Sequence, residues 1–322
     1  MTIAAALKVN ASLTSLNLQC NSIQDKGAIA IADALKVNSS MKSLDLYLSS
    51  ICDKGGMAIA DALKINGSLT SLGLSRNLIN VKGALAIADA LKVNCSLTSL
   101  DLCNNLIKYE GAIAIADALK INSSLRSLHL GGNFIEENGA MAIADALKVN
   151  SSLASLHLGG NSIEESGAMA IADALKVNSS LTSLHLGENF IGKEGLMTIA
   201  DALKVNSNLT SLHLGTSFMG LMAIAEVLQR NTTLKSLYLD VSEIDEEEAT
   251  SIAKALTYNP TLLILEFISD HIFYGLQEFK DTFHNLQALL NILIGEEGAQ
   301  VLGIAFQIKS RCIKLGRKKY HS

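Results

Sequence analysis

A phrase of the form L-x-x-L-x-L-x-x-N-x-I begins at Leu13 and returns at Met41, Leu69, Leu97, Leu125, Leu153, Leu181 and Leu209, each 28 residues on. It begins again at Leu234, 25 residues later, and at Leu262. Between successive phrases lies a segment such as GAMAIADALK (167–176), whose Ala168, Ile171, Ala172 and Leu175 fall at i, i+3, i+4 and i+7. Alternating apolar residues over a short run spell a strand, and the 3–4 spacing spells one face of a helix. The unit is one short strand, a turn and a helix. No single unit can enclose its own leucines, so the chain must bury them by stacking its copies.

Stacked strands add edge to edge into a parallel sheet, with the helices behind it. A helix is about 10 Å across and strands lie about 4.8 Å apart, so the stack bends with its sheet inside. The expected fold is an α/β solenoid: a right-handed βα horseshoe with the parallel sheet on the concave face and the helices on the convex face. Ala34, Ala62, Ala90, Ala118, Ala146, Ala174 and Ala202 share one position and suit close helix–helix seams. The repeats should span residues 1–268. Residues 269–308 are expected to form a helical cap, since Leu276, Phe279, Phe283, Leu286, Leu290 and Leu293 keep helical spacing and the segment from Gly295 to Ala305 resembles a worn repeat helix. Residues 309–322 form a basic tail with Lys309, Arg311, Lys314, Arg317, Lys318 and Lys319. At the other end, IAAALKVN matches the internal IADALKVN and reads as a helix cut off near its start. The uncovered first unit implies a covering partner or a longer parent chain.

The resemblance carried by phrases such as LTSLHLGGNSIEESGAMAIADALKVNSSL is to the leucine-rich repeat of the ribonuclease-inhibitor type, and most of all to the repeat domains of NLR-family receptors. Activating proteins of the Ran GTPase share the 28-residue form. The resemblance covers about residues 2–268. It implies a non-enzymatic protein-binding scaffold in NLR-like innate-immune or regulatory signalling or, alternatively, a GTPase-activating protein like the Ran activators, with a small GTPase as partner. It also implies that Asn21, Asn77, Asn105, Asn133, Asn161 and Asn189 lie inside and bond the backbone of adjacent turns as a spine. Ser49, Ser217 and Ser242 take that place in three units, where looser turns are expected. The shortened unit from Leu209 to Thr233 should change the curvature.

Charge and composition narrow the function. The sum of 26 basic and 31 acidic residues is −5, which disfavours a nucleic-acid ligand along the body. No apolar run reaches the roughly 20 residues of a membrane span. Five cysteines, Cys20, Cys52, Cys95, Cys103 and Cys312, show no CxxC pair and read as scattered reduced thiols, consistent with a cytoplasmic setting. Phosphate loops, HExxH and GxSxG are missing, so no catalytic residue and no cofactor is assigned. The recurrent Asn-Ser pairs after each helix, such as Asn150-Ser151, read as helix ends, where Asn tolerates a left-handed backbone.

The candidate site is the inward strand face. Its third position is almost always Ser. Its fifth varies: Asn17, Asp45, Gly73, Asp101, then His129, His157, His185 and His213, then Tyr238 and Glu266. Gly131, Gly159, Gly187 and Gly215 stand two residues beyond the histidines, suggesting an imidazole ridge along an open glycine strip. Partner contacts are expected from Asn17, Asp45, Tyr47, Arg76, Asp101, His129, His157, His185, His213, Tyr238 and Asp240. Three uses of the ridge compete: a zinc site, a pH sensor in which like charges lower one another's pKa, and a surface residue copied by duplication. No Cys or carboxylate completes a tetrahedral set in this reading, so no metal is assigned. On the helices, aspartates from Asp33 to Asp201 and lysines from Lys36 to Lys204 form a solvated i,i+3 face. Beside it, Ile29, Met57, Leu85, Ile113, Met141, Met169 and Met197 form a stripe that serves either helix packing or contact with another chain.

Overall fold

The computed structural model describes residues 2–215, 221–240, 246–269 and 312–317. Strand and helix alternate from Ile3 to Ser269. The order is α1 (Ile3–Val9), β1 (Ser15–Asn17), α2 (Gln24–Leu35), β2 (Ser43–Asp45), α3 (Asp53–Leu63), β3 (Ser71–Gly73) and α4 (Val81–Leu91). There follow β4 (Ser99–Asp101), α5 (Lys108–Leu119), β5 (Ser127–His129), α6 (Glu136–Leu147), β6 (Ser155–His157) and α7 (Glu164–Leu175). The last are β7 (Ser183–Leu186), α8 (Gly192–Val205), β8 (Ser211–Gly215), α9 (Leu221–Leu228), β9 (Ser236–Asp240), α10 (Glu246–Tyr258), β10 (Ile264–Ser269) and β11 (Cys312–Arg317). All eleven strands make one parallel sheet in chain order. The ten leucine phrases supply β1 to β10.

The register of the sheet follows the period. Leu128 pairs with Leu156 and Leu156 with Leu184, so each strand meets its copy one unit on. The middle leucine of β2 to β8 is buried between sheet and helices, while the flanking Ser and fifth-position residues are half-buried on the open side. Ala168, Ile171, Ala172 and Leu175 are all fully buried, as their spacing requires. Neighbouring helices pack directly on one another, α2 on α3 through to α7 on α8. Each seam is tight enough to demand small residues. A Cβ on Gly139 would stand 2.5 Å from Ile135 Cγ2 and 2.9 Å from Ala112 Cβ. Truncating a fully buried leucine in such a stack, as in Leu158→Ala, costs about 3–5 kcal/mol by lost transfer energy and a residual cavity.

Two asparagine ladders tie the units together. Asn77, Asn105, Asn133, Asn161 and Asn189 are buried in the turns after the strands, and each Nδ2 donates to the carbonyl of a leucine 31 residues earlier. Asn21 departs from this column. It is exposed and donates only locally, to Gln19 O at 2.7 Å, because no earlier turn stands below it. Ser49 is fully buried, and its Oγ reaches only Tyr47 O at 3.4 Å. Ser217 and Ser242 lie outside the described residues.

The second ladder corrects the reading of the helix ends. Asn38, Asn66, Asn94, Asn122, Asn150, Asn178 and Asn206 are buried. Asn206 has φ −72° and ψ 124°, an extended backbone, so left-handed tolerance is not its purpose. Its side chain closes the unit instead. Asn150 Nδ2 donates to Leu119 O at 2.7 Å and Asn122 O at 3.0 Å, while its Oδ1 accepts from Ser152 N and Leu153 N. The Asn-x-Ser triplets are hydrogen-bonded joints between stacked units.

The helical surface is as expected. Seven Lys–Asp pairs from Lys36–Asp33 to Lys204–Asp201 span 2.7–3.0 Å in solvent. Pairs of this kind contribute roughly 0.2–0.5 kcal/mol. Asp145→Asn is therefore expected to change unfolding free energy by no more than ~0.5 kcal/mol, measured by urea titration. A larger loss would mean the column is structural.

The stripe from Ile29 to Met197 is exposed throughout, between 37% at Ile113 and 44% at Met57. A second apolar column was not foreseen. Val37, Ile65, Val93, Ile121, Val149, Val177 and Val205, just past each lysine, are 58–65% exposed. Among the described residues no helix is long and apolar enough to cross a membrane.

At the C-terminal end β11 pairs in parallel with β10, Glu266 lying opposite Lys314 in the ladder. β11 falls within the segment read as a basic tail and carries Lys314 and Arg317. Lys309, Arg311, Lys318 and Lys319, and the expected cap beyond Ser269, lie outside the described residues. So does the loop of the shortened unit at 216–220. Near that unit a cavity of about 580 Å³ opens among α8, α9 and α10, lined by Met197, Met222, Glu226 and Lys254.

Candidate functional site: the ladder face of the sheet

Parallel in-register pairing brings the four histidines side by side. His129 pairs with His157, His157 with His185, and His185 with His213, which in turn pairs with Tyr238. Ring centroids are 5.9, 3.9 and 4.0 Å apart along the histidines and 5.8 Å from His213 to Tyr238. Strand spacing alone would space the rings evenly at about 4.8 Å. The uneven spacing comes from the rings leaning along the stack.

That lean corrects the picture of an open glycine strip. A Cβ on Gly131 would lie 2.4 Å from His157 Cε1, and one on Gly159 would lie 2.5 Å from His185 Cε1. At Gly187 it would meet Asp240 Oδ2 at 2.5 Å and His213 Nε2 at 3.1 Å. Gly131 and Gly159 are seats for the neighbouring imidazoles, Gly187 lies against Asp240 and His213, and Gly215 meets only the Gly187–Glu188 backbone. Any side chain at Gly131 or Gly159 would push a ring out.

Burial, more than repulsion from its neighbours, sets the basicity of His157. His157 is pushed down to about 4, first by desolvation and then by His129 and His213, with Asp101 acting weakly the other way. Its Nδ1 is buried and makes no hydrogen bond. At the end of the row His213 Nε2 meets Asp240 Oδ1 at 2.8 Å, with both side chains less than a fifth exposed. At the start, Ser127 Oγ lies 3.1 Å from His129 Nε2 and steadies that ring.

The remaining expected contact residues fall into a second group on β1 to β3. Asp45 accepts from Tyr47 N at 3.0 Å and from Gln19 Nε2. Arg76 Cζ stands 5.9 Å from the Tyr47 ring centroid, over its face. Arg76 reaches there from a left-handed backbone with φ +52°. Asn17 is exposed and its Oδ1 caps Gln19 N at 3.0 Å. The face thus presents an Asp45–Tyr47–Arg76 patch and, farther along, the His129–Tyr238 row.

Between them lies a grouping that the sequence reading missed. Asp101 is paired in the ladder with His129, and Cys103, two residues on, shares the face of Asp101. One donor atom from each of Asp101, Cys103 and His129 lies within 4.8 Å of the others. A carboxylate and a thiol thus stand beside His129, three donors where a full tetrahedral set needs four. The signal was legible as D-x-C on one strand with His in register on the next. The Cys103 thiol is pushed up to about 12 by burial and by Asp101, which also accepts its hydrogen bond. Cys20, Cys52 and Cys95 stand as free thiols away from any disulfide.

The family described as Leucine Rich repeat matches residues 9–32, 37–60, 93–116, 122–144, 149–172 and 177–200. The chain is a leucine-rich-repeat solenoid. No curated protein matches it. Among solved structures, the solenoid is similar to the leucine-rich repeat-containing protein LegL7 from Legionella pneumophila, at 21% identity and TM-score 0.52, covering 91% of this chain and 94% of that one. It also matches the leiomodin-1 actin-binding site 2 at 28% identity and TM-score 0.42, covering 47% of this chain and 88% of that one. The tropomodulin C-terminal domain of Caenorhabditis elegans matches at 14% identity and TM-score 0.40, covering 46% and 93%. The LegL7 likeness spans the whole solenoid and agrees with its fold.

Proposed function

We propose that the solenoid is a non-enzymatic scaffold that binds a protein partner on the open face of its sheet. The observation that carries this is the continuous row from His129 to Tyr238, where five rings stand in register on five strands. Such a row is held by the sheet before any partner arrives, so little side-chain entropy is lost on binding. Affinity in such interfaces comes from a few aromatic and arginine anchors. Tyr238 and the Tyr47–Arg76 pair fill that role, with Asn17, Asp45, Asp101 and Asp240 as polar surroundings. Repetition of one side chain along an open surface does not assemble the three distinct roles of a nucleophile, base and orienting acid, which supports binding over catalysis. The 28-residue period and the GAMAIADALK phrase support a ribonuclease-inhibitor-type repeat and an NLR-like regulatory setting inside the cell.

The test is affinity capture from cell extract on the immobilised full chain, in EDTA, beside two variants. One carries His129→Ala, His185→Ala and Tyr238→Ala on the sheet. The other carries Asp117→Asn, Asp145→Asn and Asp173→Asn on the helices. A partner held by the native chain and the helix variant, and weakened at least ~10-fold by the sheet variant at unchanged circular dichroism, is the expected result. Loss with the helix variant alone would move the interface to the other side of the molecule.

A further inference from the structure

We propose that Asp101, Cys103 and His129 form a binding site for a single borderline-soft divalent metal ion, with Zn²⁺ the best fit. This goes beyond the partner-binding reading and stands without it. The three side chains bring one carboxylate, one thiol and one imidazole together, with donor atoms within 4.8 Å of one another. Tetrahedral zinc, with bonds of about 2.0–2.3 Å, places its ligand atoms about 3.3–3.8 Å apart. The donor atoms thus stand at most about 1–1.5 Å beyond that spacing.

The positions are set by the backbone. Asp101 and His129 are ladder partners, and Asp101 Oδ1 accepts from Cys103 N at 2.9 Å, which holds the carboxylate toward the thiol. Ser127 Oγ, 3.1 Å from His129 Nε2, supplies the outer hydrogen bond that commonly orients a ligating imidazole. On the far side, Cys103 bonds to the Gly131 backbone, and the His157 ring lies over Gly131 with an Nδ1 that makes no hydrogen bond. Water can take the fourth place.

The charge balance suits a dication. Metal binding forms a Zn–S bond, and the Cys103 thiol releases its proton to solvent. A thiolate and a carboxylate then neutralise the ion beside a neutral imidazole. A purely oxygen-seeking ion such as Mg²⁺ gains nothing from sulfur or nitrogen here. Among the described residues the rest of the histidine row forms no comparable group.

The experiment is calorimetric titration of the reduced full chain with zinc chloride, together with Co²⁺ absorption spectra. Binding of one zinc per chain and a thiolate-to-cobalt charge-transfer band are expected. Cys103→Ser and Asp101→Asn, each with native circular dichroism, should weaken zinc at least ~10-fold, and Cys103→Ser should abolish the band. Cys52→Ser should change neither. Absence of zinc heat, or binding unaffected by Cys103→Ser and Asp101→Asn, would overturn the proposal. So would binding lost in His185→Ala but retained in Cys103→Ser, because it would place the ion on the histidine row instead.

Discussion

Asn133→Ala is expected to destabilise the solenoid by about 3–5 kcal/mol, several times the effect of any charge change on the helices. Asn133 is fully buried. Its Nδ2 donates to Leu102 O and Leu130 O at 2.9 Å and to Gly131 O at 3.2 Å. Its Oδ1 accepts from Asn105 N at 3.2 Å and Ile107 N at 3.4 Å. Alanine removes both ends of this set at once and leaves the buried backbone groups it served without them. The net worth of one hydrogen bond is only about 1 kcal/mol, but a buried group left without a partner costs about 1–3 kcal/mol. Stability in a stack passes between nearest neighbours, so the damage should be local first. Urea unfolding should show the loss. Hydrogen exchange should show faster opening at Asn105, Leu106 and Ile107 than in α2 and α3. A loss below ~1 kcal/mol would mean that the turns hold by leucine packing alone.

Acid should weaken the fold through His157, by up to about 3 kcal/mol between pH 6.5 and pH 4. The folded chain keeps this imidazole neutral down to about 4, chiefly because burial removes the charged form's hydration. The unfolded chain protonates near 6.5. Within that window the unfolded state holds one more proton than the folded state, so stability rises with pH. The contribution is complete above 6.5 and is lost as pH falls toward 4, where the folded form also takes the proton. His129, His185, His213, Asp101 and Asp240 share this face, and carboxylates elsewhere titrate in the same range. The informative quantity is therefore the difference between the native chain and His157→Gln, both in EDTA. The native chain should lose about 2–3 kcal/mol more on going from pH 7.5 to 4.5. Parallel stability curves would show that the ring charges without penalty. His157 is therefore closed to protonation near neutral pH and gives the face no pH response there.

Much of the architecture was readable because period and geometry coincide. A 28-residue repeat sets Leu128 against Leu156 and His129 against His157 whatever the details of the turn, since one full unit returns the chain to the same height in the sheet. The same arithmetic identified Ala168 and Leu175 as core and the lysine–aspartate column as surface. It also lined up the turn asparagines. It failed where the outcome depends on which atoms meet across units. The helix-end asparagines looked like backbone accommodators, and they are buried cross-links. The glycines looked like an open strip, and Gly131 and Gly159 are filled by rings. Cys103 looks like a stray thiol by its spacing to the other cysteines, while its neighbours in space are Asp101 at the end of β4 and His129 one unit later.

The repeat alone determined the class of fold, the pairing order of β1 to β10 and the identity of the row on the sheet face, because stacking identical units allows only one register. Tertiary structure decided the rest: the tilt of each imidazole, the lowered basicity of His157 and the meeting of a thiol, a carboxylate and an imidazole. Those depend on side-chain rotation and exclusion of water, which are properties of neighbouring strands together and are not carried by any one copy of the repeat.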